Sequence, residues 1–171
     1  IRPTTDVPKK ITRILYPTDF SKASQRSYLK TIEIAKKLKS KIIIYHNIYE
    51  PVLPVAEFTG VAVERVEILK AYAEEYCRNK KLNAEKWIDL AKKEGVKAEF
   101  RGVRADFSLS KSILMAAQKE KIQLIALGIE SHPLMRAILK SSVREIISIS
   151  SRPVLILNSR SSETKKRSIK G

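Results

Sequence analysis

The sequence predicts an α/β fold in which a five-stranded parallel sheet carries helices on both faces, a doubly wound arrangement. Five short runs are rich in β-branched and other apolar residues and are therefore predicted to be strands, at 12–17, 41–48, 97–103, 122–128 and 153–158. Four of these five runs are almost continuously hydrophobic, as strands covered on both faces should be. Segments with helical apolar spacing separate them.

Helical patterns occupy the segments between the strands, at 21–39, 61–94, 108–120 and 142–151. In the first of them the stripe expected to face the sheet consists of Leu29, Ile32, Ala35 and Leu38. Strict alternation of strand and helix indicates a parallel sheet, because right-handed crossovers place each helix on one face of the sheet or the other.

The chain of 171 residues has the length of one domain. We place this domain at 11–158, because 1–10 and 159–171 are polar or charged without an apolar period and are expected to be flexible tails, the second of them basic. The segment 47–60, "NIYEPVLPVAEFTG", is irregular and longer than an ordinary connection, which suggests a lid or a wrapping segment.

The chain is strongly basic, with 34 Lys and Arg against 18 Asp and Glu and a net charge of +16. This charge would suit nucleic-acid binding through the basic tails, but most lysines of the domain lie on predicted outer helix faces, where solvation explains them. Nucleic acid is therefore not the expected partner. No stretch is long and apolar enough to span a bilayer, and a single cysteine excludes an internal disulfide, so we expect a cytoplasmic protein.

Ligands of doubly wound sheets bind beyond the carboxyl ends of the strands, where the strand order reverses. Three stretches lie at such ends: "PTDFS" after the first strand, "HNIYEP" after the second and "GIESHPLMRAILKSS" after the fourth. We expect a binding site to be built from these three stretches.

The motifs "ILYPTDFSKAS", "IYHNI", "LIALG", "SSVREII" and "RPVLIL" occur in an order and spacing that resembles the universal stress protein family, from about residue 11 to 158. The resemblance implies a Rossmann-like sheet of order 3-2-1-4-5, of the adenine nucleotide alpha hydrolase-like type. It also implies a homodimer that pairs through the last strand, from Pro153 to Leu157. In one branch of the family it implies ATP as the cofactor, held by a loop of pattern G-x2-G-x9-G-[ST].

The chain fits the spacing of that loop but only part of its composition. Gly128 takes the first glycine position, Ser131 the second, Ser141 the third and Ser142 the final hydroxyl position, so that serine replaces two of the three glycines. A serine forced into a left-handed backbone costs about 1–2 kcal/mol, and its Cβ crowds a phosphate that approaches the backbone. The expected pocket is therefore a degraded one.

The same resemblance assigns further candidate contacts to a nucleotide. Asp19 matches the family's acidic residue near the adenine or ribose, although a cap for the helix that begins near Ser21 explains it equally well. Asn47 stands where the family usually has a small aliphatic residue. The complete set of candidate nucleotide-binding residues is Pro17, Thr18, Asp19, Asn47, Gly128, Ser131, His132, Ser141, Ser142, Val143 and Arg144.

Ser141 and Ser142 are expected to open the fourth helix, which admits two interpretations. The free N–H groups and positive dipole end of that helix, with Arg136, Lys140 and Arg144 nearby, would attract a phosphate. A serine that simply caps the helix would need no ligand.

Catalytic motifs are missing from the sequence, which contains no phosphate-binding P-loop and no nucleophile elbow. His46 is expected to be a hydrogen-bonded packing residue, and two histidines with one cysteine do not form a usual zinc site. We expect a homodimeric regulatory or stress-response module with a weak nucleotide pocket and no enzymatic activity. A working ATP or ADP switch and a polyanion binder that uses the basic tails are the alternatives.

Overall fold

The computed structural model describes residues 8–48, 62–104, 108–129 and 133–158. Several predicted features lie outside these ranges: most of the amino-terminal tail, the basic tail 159–171, most of the irregular segment 47–60, and Ser131 with His132. The side chains of 133–140 are likewise not described, and these include Arg136 and Lys140.

Five strands and four helices alternate along the described chain. Their order is β1 (Arg13–Pro17), α1 (Lys22–Leu38), β2 (Lys41–Ile48), α2 (Ala62–Lys93), β3 (Ala98–Arg104), α3 (Leu109–Lys119), β4 (Leu124–Ile129), α4 (Pro133–Ile149) and β5 (Val154–Asn158). The strands form one parallel sheet of order β3-β2-β1-β4-β5, as predicted. Every strand begins and ends within two residues of its predicted position.

The sheet separates two hydrophobic cores. On one face Tyr28 of α1 and Trp87 of α2 pack against Ile14 and Tyr16 of β1. On the other face α3 and α4 cover Leu15 and its neighbours. Alternate side chains of a strand point to opposite faces, so β1 contributes side chains to both cores and contains an unbroken run of buried apolar residues. This is why the strand sequences are almost continuously apolar.

The fourth helix begins earlier than predicted. We expected it to start at residue 142, whereas α4 begins at Pro133. Proline suits the first turn of a helix, where its missing N–H has no intrahelical partner to lose, so Pro133 marks the start of α4. Ser141 and Ser142 therefore lie in the interior of α4, and the prediction that they open this helix is wrong.

The buried face of α1 also differs from the predicted stripe. Ile32 and Ala35 are buried as expected, but Leu29 and Leu38 are 44% and 37% exposed. Tyr28 occupies the core instead, where its hydroxyl donates to the Trp87 carbonyl oxygen at 3.0 Å. A tyrosine with its hydroxyl satisfied can bury its ring fully, and this rotates the helix away from the simple leucine stripe.

Gly128, at the end of β4, allows α1 to approach the sheet closely. A Cβ added at this glycine would lie 2.9 Å from the Tyr16 hydroxyl oxygen and 2.9 Å from the Ser27 Cβ of α1. Real Cβ atoms essentially never show so short a contact. Packing of α1 on β4 is therefore sufficient to explain this glycine.

Among the described residues, no helix combines the length and the apolar character that a membrane crossing requires.

We expect Gly128→Ala to lower the free energy of unfolding by about 1–3 kcal/mol, because the methyl group overpacks the contact with the buried Ser27 and Tyr16 side chains. Gly102→Ala is the matched control, since its Cβ would meet the Ile48 Cδ1 atom at 2.9 Å, the mobile end of a side chain. Urea unfolding of both variants measures the difference. Equal losses of stability would contradict the packing role of Gly128.

Candidate functional site

A cavity of about 360 Å³ opens at the carboxyl edge of the sheet, between β1, β2 and β4. The start of α1, the start of α3 and the middle of α4 complete its walls. Seven predicted residues line it: Pro17, Thr18, Asp19, Asn47, Gly128, Ser142 and Val143. Ser141 and Arg144 do not line it, and Ser131 and His132 lie outside the described residues.

The loop after β1 is held by hydrogen bonds to its own backbone. The Phe20 N–H donates to the Thr18 Oγ1 atom at 2.9 Å, and the Ser21 N–H donates to the Asp19 Oδ1 atom at 2.9 Å. Ser21 in turn caps α1, since its hydroxyl accepts from the Ser24 N–H. These bonds present the Thr18 and Asp19 side chains at the cavity.

Asp19 both supports the start of α1 and lines the cavity. The Ser24 hydroxyl donates to Asp19 Oδ1 at 2.6 Å, so the carboxylate supports the α1 terminus although Ser21 is the capping residue. Burial pushes the pKa of Asp19 upward, but the hydrogen bonds from Ser24 and Ser21 prevail and hold this pKa below its ordinary value. An ionised carboxylate therefore lines the cavity at neutral pH.

Phe20 has a left-handed backbone, with φ at 64°. A bulky residue in this conformation is strained, and the strain persists only where packing offsets it. The Phe20 ring packs at 5.0 Å from the Trp87 ring and at 6.0 Å from the Phe100 ring. Aromatic packing on one side of the sheet therefore shapes the loop that lines the cavity.

The prediction that His46 is a hydrogen-bonded packing residue is confirmed, and its side chain is only 5% exposed. Its Nδ1 atom lies 2.7 Å from the Thr18 carbonyl oxygen, which can only accept, so Nδ1 carries the proton. Its Nε2 atom, 3.2 Å from the Tyr76 hydroxyl, then accepts from that hydroxyl in the neutral ring. His46 thus connects α2 to the loop at the cavity.

Tyr76 and Lys80 of α2 support the same loop, and neither is among the site residues predicted from the sequence. The Lys80 ammonium group donates to the Asp19 carbonyl oxygen at 3.0 Å and lies 5.0 Å from the centre of the Tyr76 ring. Their four-residue spacing, which places them on one face of α2, was the available signal. This spacing does not reveal that the two side chains contact the loop after β1, because that loop is distant in sequence.

The cavity lining is largely apolar and carries one negative charge. Its apolar walls come mainly from α3, β4 and α4, through Leu109, Ile113, Leu127, Ile129, Val143 and Ile146. The described lining contains neither Lys nor Arg, and His46 is neutral. Nor do the described residues include a group of three or more His, Cys, Asp or Glu that could hold a metal ion.

The middle of α4 does not offer the free N–H groups that the predicted anion site requires. Inside an α-helix the N–H groups of Ser141 and Ser142 bond to carbonyl groups one turn earlier, so they are not available as at a helix start. Ser141 also has a helical backbone, and the strain predicted for a left-handed serine at this position does not arise.

We expect His46 to make the protein less stable as the pH falls below neutrality. Burial lowers the pKa of His46 below its ordinary value of 6.5, and the charge of Lys80 acts in the same direction. Below pH 6.5 the His46 side chain therefore binds a proton in the unfolded chain but not in the folded protein. This difference lowers the free energy of unfolding by at most about 1.4 kcal/mol for each pH unit.

Urea unfolding from neutral pH to about pH 5 tests this dependence. The free energy of unfolding should fall more steeply with acidification in the wild-type protein than in His46→Gln. Parallel curves for the two proteins would show that the folded pKa of His46 is not depressed.

Comparison with known proteins shows the family. Residues 10–158 match the sequence model described as Universal stress protein family. No curated protein sequence matches the chain at a significant level.

Solved structures of this family share the fold. The universal stress protein UspA from Lactobacillus plantarum is 17% identical, with a TM-score of 0.63 over 88% of this chain and 99% of that one. A universal stress protein in complex with cAMP is 20% identical, with a TM-score of 0.60 over 89% and 100%. The Archaeoglobus fulgidus protein in complex with dAMP is 16% identical, with a TM-score of 0.54 over 85% and 96%.

The family match covers most of the chain and agrees with the observed sheet order. This protein belongs to the universal stress protein family.

Proposed function

We propose that this protein is a stress-response module whose cavity binds the adenosine part of an adenine nucleotide and holds the phosphates only weakly. The observation that carries the proposal is the composition of the cavity lining, which offers apolar walls and the Asp19 carboxylate but no described lysine or arginine. Such a lining suits a base and a sugar better than a triphosphate.

The size and walls of the cavity favour a flat, largely apolar group. Its volume of about 360 Å³ lies near the lower end of the range of about 300–1,000 Å³ that is typical of small-molecule sites. Leu127 of β4 and Val143 of α4 contribute apolar side chains to its walls. Two relatives of the same fold were solved with cAMP and with dAMP, and both ligands contain adenine.

Asp19 is the residue we assign to the ribose. Its hydrogen bonds from Ser21 and Ser24 both go to Oδ1, which fixes the carboxylate and leaves Oδ2 to accept from a ribose hydroxyl. Because the carboxylate is already ordered and ionised, it loses little conformational freedom when a ligand binds.

The described cavity lining offers few groups that could bind the phosphates of a nucleotide. Phosphate binding in proteins relies on cationic side chains or on free backbone N–H groups at a helix start. The N–H groups of Ser141 and Ser142 lie within α4, and Gly128 faces Ser27 and the Tyr16 hydroxyl. Repulsion by Asp19 further disfavours a highly charged ligand.

Calorimetric titration with adenosine, and with ATP in the presence of Mg²⁺, tests this proposal. We expect the two dissociation constants to agree within about threefold, because the phosphates add little binding free energy. ATP binding more than about tenfold tighter would contradict the proposal and favour an ATP switch. Absence of binding by either ligand would refute the nucleotide pocket.

Two variants identify the site in the same experiment. Asp19→Ala should weaken adenosine binding by about tenfold or more, because a hydrogen bond to a charged group is lost. An adenosine analogue without ribose hydroxyls should be insensitive to this change. Asp89→Ala removes an exposed carboxylate that does not line the cavity, and it should leave adenosine binding unchanged.

We also propose that two copies pair through β5. This strand hydrogen-bonds to β4 and is the last strand of the sheet order, so its other edge is not covered by a strand of the described residues. Ile156 is 38% exposed on it. An apolar edge strand of this kind favours pairing with its own copy.

Sedimentation equilibrium at high micromolar concentration should give twice the monomer mass of 19.4 kDa. Ile156→Lys should return the monomer, because a charged residue on an edge strand opposes strand pairing. A monomeric wild-type protein would contradict the dimer.

A further inference from the structure

Asn47 carries a polar atom that the protein itself does not satisfy. The residue lies near the end of β2, next to Val103 of β3, and it lines the cavity. Its side-chain oxygen Oδ1 is buried and has no hydrogen-bond partner; no other buried side-chain nitrogen or oxygen of the described residues shares this condition.

The neighbouring polar side chains behave differently. The Tyr45 hydroxyl makes a hydrogen bond with the Ser112 hydroxyl, and both ring nitrogens of His46 have partners. The end of β2 is therefore a region where buried polar groups are normally paired. An unpaired acceptor costs stability, and in native proteins such groups commonly lie where a ligand or a water supplies the missing partner.

An acceptor defines the chemistry of its missing partner, which has to be an N–H or O–H donor. Turning the Asn47 oxygen towards the cavity breaks no hydrogen bond made to it by the described residues. The lining of the same cavity includes the apolar side chains of Ile113 and Leu127. A donor at the edge of a flat ring would reach Asn47 while the ring itself contacts these apolar side chains.

We propose that Asn47 Oδ1 accepts a hydrogen bond from the exocyclic amino group of the bound base and makes the cavity selective for adenine over oxopurines. This inference rests on the proposed nucleotide binding. Hypoxanthine has the same ring shape, but an oxygen replaces the amino group, so two acceptors would face each other. The resulting mismatch leaves Asn47 unpaired and adds electrostatic repulsion.

The selectivity is measured as the ratio of the dissociation constants of inosine and adenosine, by calorimetry on the full chain. For the wild-type protein we expect adenosine to bind about tenfold more tightly, as one buried hydrogen bond gained or lost predicts. Nucleosides are used because they separate recognition of the base from any effect of phosphates.

Two substitutions connect this ratio to the Asn47 oxygen. Asn47→Leu has a similar size and no acceptor, so adenosine binding should weaken by about tenfold and the ratio should fall to about one. Asn47→Asp keeps an acceptor at the same place and should still prefer adenosine. Circular dichroism of each variant checks that it is folded, and the wild-type ratio is informative without either variant.

The outcomes separate the two levels of the proposal. Equal binding of both nucleosides by the wild-type protein would overturn the role of Asn47 and leave nucleotide binding intact. Preference for inosine would also overturn it, since it would show the amide nitrogen donating to the base. No binding of either nucleoside would refute the proposed function itself, and the assignment of Asn47 with it.

Discussion

The hydrogen bond from the Thr18 N–H to the Tyr45 carbonyl oxygen, at 2.9 Å, extends the pairing of β1 and β2 one residue beyond the end of β1. The site depends on this extension. It fixes Thr18, whose carbonyl accepts from His46 and whose hydroxyl accepts from the Phe20 N–H. Asp19 then stands between two fixed residues, and its orientation at the cavity follows from backbone geometry.

The conformation of the loop after β1 depends on packing on one face of the sheet, while the loop itself lines the cavity. Phe20 adopts a left-handed backbone at a cost of about 1–2 kcal/mol, and its packing in the aromatic cluster with Trp87 and Phe100 offsets this cost. The Tyr28 and Trp87 rings stack at 4.7 Å behind it. Changes in this core are therefore expected to reach the cavity through Phe20, although they lie on the opposite face of the sheet from α4.

Much of the fold could be predicted because the strand signals are strong. Five apolar runs separated by helical patterns predict one parallel sheet, and the family motifs supply its order. The candidate site was partly predicted for the same reason, since Pro17, Asp19 and Asn47 lie at or just beyond the carboxyl ends of neighbouring strands.

Other features depend on contacts that the sequence does not display. The spacing of Gly128, Ser131, Ser141 and Ser142 fits a phosphate loop, yet Pro133 starts a helix that contains the last two. The sequence is compatible with a loop that reaches residue 141 and with a helix that begins at Pro133, because proline can follow the end of one element or open the next. Similarly, Tyr28 replaces Leu29 in the core because Trp87, far along the chain, offers a carbonyl oxygen to its hydroxyl.

The lining of the cavity supports our proposal that it binds the uncharged part of a nucleotide. Two of its polar lining residues carry the proposal: Asp19 is held in place and ionised, and the Asn47 Oδ1 atom has no hydrogen-bond donor. Both suit a nucleoside, which carries hydroxyl and amino donors. Neither attracts a phosphate.

An NMR titration with adenosine, following the backbone amide signals, tests this account most directly. We expect saturable shifts centred on Asp19, Asn47, Gly128 and Val143, which line the cavity from the loop after β1 and from β2, β4 and α4. Shifts confined to the basic tail 159–171, or no shifts at saturating adenosine, would contradict it.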